Sequence, residues 1–118
     1  YIIVEDLRIV NMTKSSKGTM EAPGKMVAQK SGLNRSILQL NWGEFFTMLE
    51  YKSAWSGGKF EKVNAKNTSL TCSACNHVSK NSRKSQSVFD CETCGHQENA
   101  DKNAAKNIEG RADPLIAA

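Results

Sequence analysis

The sequence has no apolar run long enough to cross a membrane and no secretory signal at its start. A membrane-spanning helix needs about 20 mostly apolar residues, and a signal peptide combines a basic start with an apolar stretch. These absences argue against the membrane and secreted classes. Aromatic residues are also scarce, at 7% of the 118 residues, but 39% are hydrophobic, too many for a wholly disordered chain. We therefore expect one small globular domain, with or without an insertion.

An initial methionine is absent as well, and the chain opens on an apolar run. The run Tyr1-Ile2-Ile3-Val4 is β-prone and does not alternate with polar residues, which is typical of a strand buried on both faces. It ends at two adjacent carboxylates, Glu5 and Asp6. Because a natural domain rarely begins inside its own core, we expect the chain to be the C-terminal part of a longer protein.

The net charge of +4 permits a nucleic-acid partner but does not prove one. Five basic residues and a single acid, Glu21, fall between positions 11 and 35, in a stretch rich in Ser, Gly and Lys. We predict a loop or flexible insertion at 11–35, since about 25 residues is long for an ordinary loop. This segment, like a basic hairpin tip at 79–87, is either a solvated surface or a contact for nucleic-acid phosphates. The candidate contacts are Lys14, Lys17, Lys25, Lys30, Arg35, Lys80, Arg83 and Lys84.

Apolar spacing predicts an amphipathic helix in the middle of the chain. Asn41 can cap this helix, with Glu44 three residues on as in a capping box, and Gly57-Gly58 should end it. A strand is expected over 59–64. We assign the apolar stripe of the helix to the core and not to a base-stacking platform. The stripe consists of Trp42, Phe45, Phe46 and Leu49.

Four cysteines stand in two Cys-x₂-Cys pairs with fifteen residues between the pairs, a spacing typical of zinc sites. Two such turns can complete a tetrahedron with bonds of about 2.3 Å. Each pair continues with a residue that tolerates positive φ and then histidine, as Asn76-His77 and Gly95-His96, so the halves are copies of one knuckle. We predict a closed, structural zinc ribbon in a reducing cytosol with both histidines outside the ligand set; unpaired thiols and two disulfides are the alternatives. The predicted zinc ligands are Cys72, Cys75, Cys91 and Cys94.

Two acidic residues are candidates for catalysis. Glu5 closes the first strand, and Asp101 opens a last helix. We predict that helix between Asn99 and Gly110. Each acid also has an ordinary interpretation, Glu5 as a solvated strand end and Asp101 as a first-turn acid that the helix dipole favours. Asn99 and Asn103 flank Asp101 and could orient it or cap the helix; we favour capping.

Four blocks of the sequence agree, in order, with one known pattern. They are Ile3–Leu7, Trp42–Phe45 together with Met48–Lys52, Thr68-Ser69, and Asn99–Ile108. These blocks resemble the C-terminal half of the TnpB (OrfB) proteins, which bacterial insertion sequences encode and which are related to type V CRISPR effectors. Zinc knuckles alone are common, whereas the combination of a strand-end Glu, a ribbon and an Asn-Ala-Asp helix is far more specific.

The resemblance implies an α/β fold, namely a partial RuvC-like (RNase H-type) domain with an inserted Cys₄ zinc ribbon. Such sites use three carboxylates. Glu5 matches the second and Asp101 the third, and the resemblance makes both catalytic residues and magnesium ligands. The first carboxylate would lie upstream of Tyr1. The implied segments are a nuclease core at 1–66 that includes the basic loop, the ribbon at 67–98, and the last helix of the core with the tail at 99–118.

The resemblance further implies that the parental protein is an RNA-guided, Mg²⁺-dependent DNA endonuclease of a transposable element. Its partners would be DNA and a guide RNA, and it would not bind a membrane. It would act in the bacterial cytoplasm, with structural Zn²⁺ and catalytic Mg²⁺ as cofactors. We expect the isolated chain, with two of three carboxylates, to be inactive. The alternative is a non-catalytic zinc-ribbon module that binds nucleic acid and leaves the chemistry to a partner.

Overall fold

A computed structural model describes residues 1–112, which divide into two compact units. One unit comprises residues 7–56, and the other comprises residues 1–6 together with the chain from residue 57 onward. The end of the predicted segment 99–118 lies outside the described residues. Within the described part of the chain, no helix is long and apolar enough to cross a membrane.

The unit of residues 7–56 is helical, and part of it corrects our expectation of a loop at 11–35. About a third of that stretch, residues 27–35, belongs to a helix. Its half-buried positions recur with helical spacing but are partly polar, which conceals the period in the sequence. Lys30 Nζ donates to the Met12 carbonyl at 2.5 Å, and Asn34 Nδ2 donates to the Thr13 carbonyl at 2.8 Å. The helices are α1 (Ile9–Met12), α2 (Val27–Gln39) and α3 (Trp42–Trp55).

Helix α3 has the expected bounds, but its start differs from the predicted capping box. Asn41 lies in the left-handed region at φ 48°, and its side chain makes no capping hydrogen bond. The link from α2 is so short that Asn41 must turn the chain, and an extended capping conformation cannot do this. The core assignment is only partly right, because Phe46 is 7% exposed and Phe45 is 45% exposed. A unit of this size is too small to enclose every aromatic ring.

The other unit begins with the expected strands, β1 (Ile2–Glu5) and β2 (Phe60–Val63). They pair in parallel, with Ile2 opposite Phe60 and Glu5 opposite Val63. Every residue of β1 is half-buried. Our expectation of a strand buried on both faces is therefore wrong for the described residues, because a two-stranded sheet is too small to be covered completely.

The region of the cysteines contains a small antiparallel hairpin, which is followed directly by the last helix. The hydrophobic core of this region is formed by Cys72, Phe89, Cys91 and Ala100. Asn99 caps the helix as expected, since its side chain accepts hydrogen bonds from the N–H groups of Asp101 and Lys102. The elements are β3 (Val88–Asp90), β4 (Gln97–Asn99) and α4 (Ala100–Glu109), with Gly110 at the end of α4.

Candidate metal centre and acidic site

The four cysteine sulfurs converge on one point. All lie within 4.8 Å of one another, and the Cys72–Cys94 and Cys75–Cys91 sulfur pairs are each 3.7 Å apart. A tetrahedral zinc site with bonds of about 2.3 Å has sulfur–sulfur edges of about 3.8 Å. These separations are far longer than the disulfide bond of about 2.05 Å, and all four cysteines are free. The cluster can hold a metal ion such as zinc, and it excludes the disulfide alternative for this structure.

The two knuckles have the same backbone geometry, as the sequence repeat predicts. In the first, Asn76 N–H donates to the Cys72 carbonyl at 2.9 Å, and in the second Gly95 N–H donates to the Cys91 carbonyl at 3.0 Å. Asn76 has φ 62° and Gly95 has φ 73°. Both are residue types that accept the left-handed region at low cost. The positive-φ position after each pair is therefore what lets the chain curl back beneath the sulfurs.

The thiols of the cluster have very different affinities for a proton. Backbone N–H groups of Cys94 and Thr93 stabilise the thiolate of Cys91 and lower its pKa to about 6. The His77 N–H acts in the same direction on Cys75, but burial and the surrounding sulfurs outweigh it and raise the pKa of that thiol to about 12. Binding of a metal by all four sulfurs must release protons, so its affinity depends on pH.

The two histidines face carboxylates near the cysteine cluster. His77 Nε2 lies 3.2 Å from Glu92 Oε1, and His96 Nε2 lies 3.4 Å from Glu98 Oε2. Lys106 Nζ on α4 also contacts Glu98, at 2.6 Å. This arrangement fits histidines outside the ligand set. The Lys106 ammonium, with a smaller contribution from His96, lowers the pKa of Glu98.

Glu5 is half-buried at the end of β1, and its carboxylate has a protein partner. Oε1 accepts a hydrogen bond of 2.6 Å from the hydroxyl of Thr68, a residue that is only 2% exposed. The next residue, Asp6, is exposed and donates its backbone N–H to the Val63 carbonyl at 2.8 Å. The two adjacent acids therefore have different environments, as expected for successive residues of a strand.

Asp101 is exposed in the first turn of α4, and α4 packs against β1. A cavity of about 280 Å³ between these elements is lined by Tyr1, Ile3, Ala105 and Glu109. The start of the strand thus lies beside the second half of the helix.

Each acid lies at a fixed distance from this cavity along its own element. Glu5 follows Ile3 on the same strand face, about 6.6 Å further along. Asp101 precedes Ala105 on the same helix face, about 6 Å back along the axis. Within residues 1–112, the four cysteines form the one group of three or more possible metal ligands, and neither acid belongs to such a group.

Two asparagines of α4 have roles that the sequence did not reveal. Asn103 is fully buried. Its Oδ1 accepts a hydrogen bond of 2.9 Å from the Ser73 N–H, so among the described residues its side chain bonds to the first knuckle and not to the start of the helix or to Asp101. Asn107 Nδ2 donates to the Thr68 carbonyl at 2.8 Å. Our preference for capping by Asn103 is wrong, because Asn103 and Asn107, four residues apart on one helix face, bond instead to the backbone of residues 68–73. The sequence signal that could have indicated this role is the four-residue spacing of the two asparagines on a helix face that is otherwise apolar.

The basic candidates are divided between the two units. Lys30 is already engaged with the Met12 carbonyl, and Arg83 Nη2 donates to the Gln86 carbonyl at 3.2 Å. The other candidates are exposed, which leaves their ammonium and guanidinium groups accessible to a phosphate. These exposed residues are Lys14, Lys17, Lys25 and Arg35 in the helical unit, and Lys80 and Lys84 between the two cysteine pairs.

Comparisons with known proteins give a consistent result. The profile of the family "Cas12f1-like, TNB domain" matches residues 42–108. Over 116 residues the chain is 46% identical to InsQ of Escherichia coli (strain K12), which is named as an RNA-guided DNA endonuclease; the alignment covers 98% of this chain and 29% of InsQ. Over 79 residues it is 33% identical to the TnpB-like protein L79 of Acanthamoeba polyphaga mimivirus, covering 67% of this chain and 15% of L79.

Similarity also extends to a solved structure. A cryo-EM structure of a Cas12f1–sgRNA–target DNA complex shares 37% sequence identity with the chain. The match covers 63% of this chain and 21% of that chain, with a TM-score of 0.49. The chain spans less than a third of the length of each of these relatives.

Proposed function

Because the chain belongs to the Cas12f1-like TNB-domain family, we propose that it is the C-terminal part of a TnpB-like, RNA-guided DNA endonuclease of a transposable element. The named activity of InsQ supports this proposal. DNA and a guide RNA are the proposed partners, and the bacterial cytoplasm is the proposed location. We refer to the protein that carries this chain together with the remaining nuclease segments as the complete protein.

The observation that carries the proposal is the packing of α4 against β1, the two elements that carry Asp101 and Glu5. The strand ends in Glu5 and the first turn of the helix contains Asp101, and we propose that the two acids serve one shared acidic site. A RuvC-like site takes carboxylates from separate elements in this manner. Its remaining carboxylate has no counterpart in residues 1–118, so we propose that another segment of the complete protein supplies it.

The carboxylates suit the chemistry of phosphodiester hydrolysis. Magnesium prefers hard oxygen ligands, and when bound in such a site it helps to activate water and to stabilise the leaving alkoxide. The proposed role of Glu5 and Asp101 is to hold the cation at a fixed place beside the scissile phosphate. Strand pairing fixes the backbone of Glu5, and the Asn99 cap fixes the backbone of Asp101.

The remaining segments have supporting roles in the proposal. Residues 1–66 and 99–118 belong to the nuclease core, and 67–98 form a zinc ribbon. The four cysteines would hold Zn²⁺ as a structural ion, because four thiolates leave no coordination position for substrate. The exposed basic residues would contact phosphates of the guide or target strand. The experiment below separates this enzyme from a non-catalytic binding module.

The test is cleavage of a guide-matched DNA by the complete protein, with and without Mg²⁺. We expect Mg²⁺-dependent cleavage that Glu5→Gln abolishes, while target binding stays within about threefold of the wild-type value. The matched control is Asp6→Asn, which removes the neighbouring exposed carboxylate and should cleave normally. Target binding without any cleavage by the wild-type protein would favour the binding module, and full activity of Glu5→Gln would remove Glu5 from the site.

A further inference from the structure

Thr68 joins the two elements that carry the proposed catalytic acids. Its hydroxyl donates to Glu5 Oε1 at 2.6 Å, across a sequence separation of 63 residues. Its carbonyl accepts a hydrogen bond of 2.8 Å from Nδ2 of Asn107, on the helix that Asp101 opens. With 2% of its surface exposed, Thr68 is shielded from competing water. A single buried residue thus contacts the carboxylate on β1 and the helix α4.

The direction of the hydroxyl proton follows from the partners of Oγ1. The Ala65 carbonyl lies 3.0 Å from this oxygen, and the Glu5 carboxylate lies 2.6 Å from it. A threonine hydroxyl has one proton to donate. A short bond to an ionised carboxylate is roughly twice as strong as a bond between neutral groups, so the proton points at Glu5.

The backbone around Thr68 is held from several sides. The N–H groups of Leu70 and Thr71 both donate to the Asn67 carbonyl, at 3.0 Å each. The Thr71 carbonyl in turn accepts from Nδ2 of Asn103 and of Asn107, at 2.7 Å each. The hydroxyl of Thr68 therefore projects from a turn that is attached to α4, and its bond can define the orientation of a carboxylate.

We propose that Thr68 is a positioning residue for Glu5 in the nuclease reaction, an inference that rests on the function proposed above. One hydrogen bond occupies only part of the acceptor capacity of a carboxylate. The group therefore keeps the ability to bind a divalent cation, but in one orientation. Removal of a residue that orients a metal ligand typically costs 10–100-fold in metal affinity or activity.

The test compares three variants of the guide-loaded complete protein in single-turnover cleavage at varied Mg²⁺ concentration. Thr68→Val keeps the shape and removes the hydroxyl; we expect a rate lower by about 10–100-fold and a higher Mg²⁺ requirement. Thr68→Ser restores the donor and should recover the rate to within about threefold. The matched control is Thr71→Val, because the Thr71 hydroxyl donates only to the Asn67 carbonyl in the bonds described.

Zinc content and target binding, measured on the same preparations, separate positioning from a merely structural role. We expect both to be unchanged in Thr68→Val. A wild-type cleavage rate in Thr68→Val would overturn the inference. The inference would also be overturned if the rate falls together with zinc content or target binding and Thr68→Ser does not restore it. Failure of the wild-type protein to cleave would instead overturn the proposed function, whereas an inactive Glu5→Gln beside a fully active Thr68→Val overturns only the role of Thr68.

Discussion

Asn103 accepts a hydrogen bond of 2.9 Å from the backbone N–H of Ser73, which lies between the first two cysteines. Its Nδ2 donates to the Thr71 carbonyl at 2.7 Å, and the side chain is fully buried. The amide therefore uses both its donor and its acceptor on the knuckle. Since Asp101 lies on the same helix, the cysteine cluster and the proposed catalytic acid are attached to one another through α4.

This attachment predicts a loss of stability when Asn103 loses its polar groups. Asn103→Leu has a similar volume but leaves the Ser73 N–H buried without an acceptor, which should lower the free energy of unfolding by about 1–3 kcal/mol. Denaturant unfolding of the zinc-loaded chain measures the change. The control is Lys102→Ala at an exposed position of the same helix, for which we expect at most about 0.5 kcal/mol. Equal stability of Asn103→Leu and the wild type would show that the amide is dispensable.

Metal analysis tests the cysteine cluster. Protein purified without added metal should contain about one equivalent of zinc per chain, and chelation should unfold the ribbon, because the site exists only in the folded chain. Cys94→Ser should lower the zinc content, whereas Ala74→Ser, at an exposed position between the first two cysteines, should not. Zinc-free protein with two disulfides would contradict the assignment.

The cysteine cluster and the family could be predicted because the information is local. Two residues between paired cysteines dictate a tight turn, and the Asn or Gly that follows supplies the positive φ. Asn99 at the start of α4 is similarly determined by its immediate neighbours. The resemblance to TnpB proteins is confirmed by the family profile and by a TnpB-like relative.

Helix α2 and the buried amides could not be predicted, because they depend on distant contacts. Lys30 and Asn34 occupy the positions of α2 that contact the end of α1. A helix is recognised in a sequence by hydrophobic residues at such positions, and here the residues are polar. Asn103 and Thr68 obtain their roles from partners 30 and 63 residues away. Single-sequence periodicity contains no information about such pairs.

The interaction of Glu98 with Lys106 predicts a dependence of stability on pH. The lowered pKa of Glu98 means that the ionised form is favoured in the folded chain, first by Lys106 and then by His96. This contribution is complete above the ordinary value of 4.5 and is lost as pH falls through the lowered pKa. Glu98→Gln should therefore be less stable than the wild type at pH 7, and the difference should shrink in acid.

Unfolding of both proteins at several pH values measures that difference. Glu50→Gln, at an exposed position of α3, is the control for loss of a carboxylate in general. A stability difference between Glu98→Gln and the wild type that is constant from pH 7 into acid would show that the ion pair does not contribute.

The basic surface predicts weak, salt-dependent binding of nucleic acid by the isolated chain. Affinity for a labelled single strand should fall steeply as salt rises, because released counterions drive the binding. Lys84→Ala should lower the slope of log affinity against log salt by about 0.7 if this residue contacts a phosphate of a single strand. The control is Lys106→Ala, whose ammonium is already paired with Glu98. Tight binding that salt does not affect would point to recognition of bases or shape.

The same isolated chain should not cut DNA. It contains two of the three proposed carboxylates, and these should hold Mg²⁺ poorly. A plasmid-nicking assay with Mg²⁺ or Mn²⁺ measures this directly. Nicking that requires the metal and disappears in Asp101→Ala would show that two carboxylates suffice.

The central claim is that Glu5 and Asp101 serve one metal site, and a double-mutant comparison in the complete protein tests it most directly. Single-turnover cleavage is measured for Glu5→Gln, Asp101→Asn and the double variant. Residues that act as a unit have strongly non-additive effects. We predict a loss of at least about 100-fold in each single variant, with little further loss in the double variant. A near wild-type rate in either single variant, or losses that multiply in the double variant, would contradict the shared site.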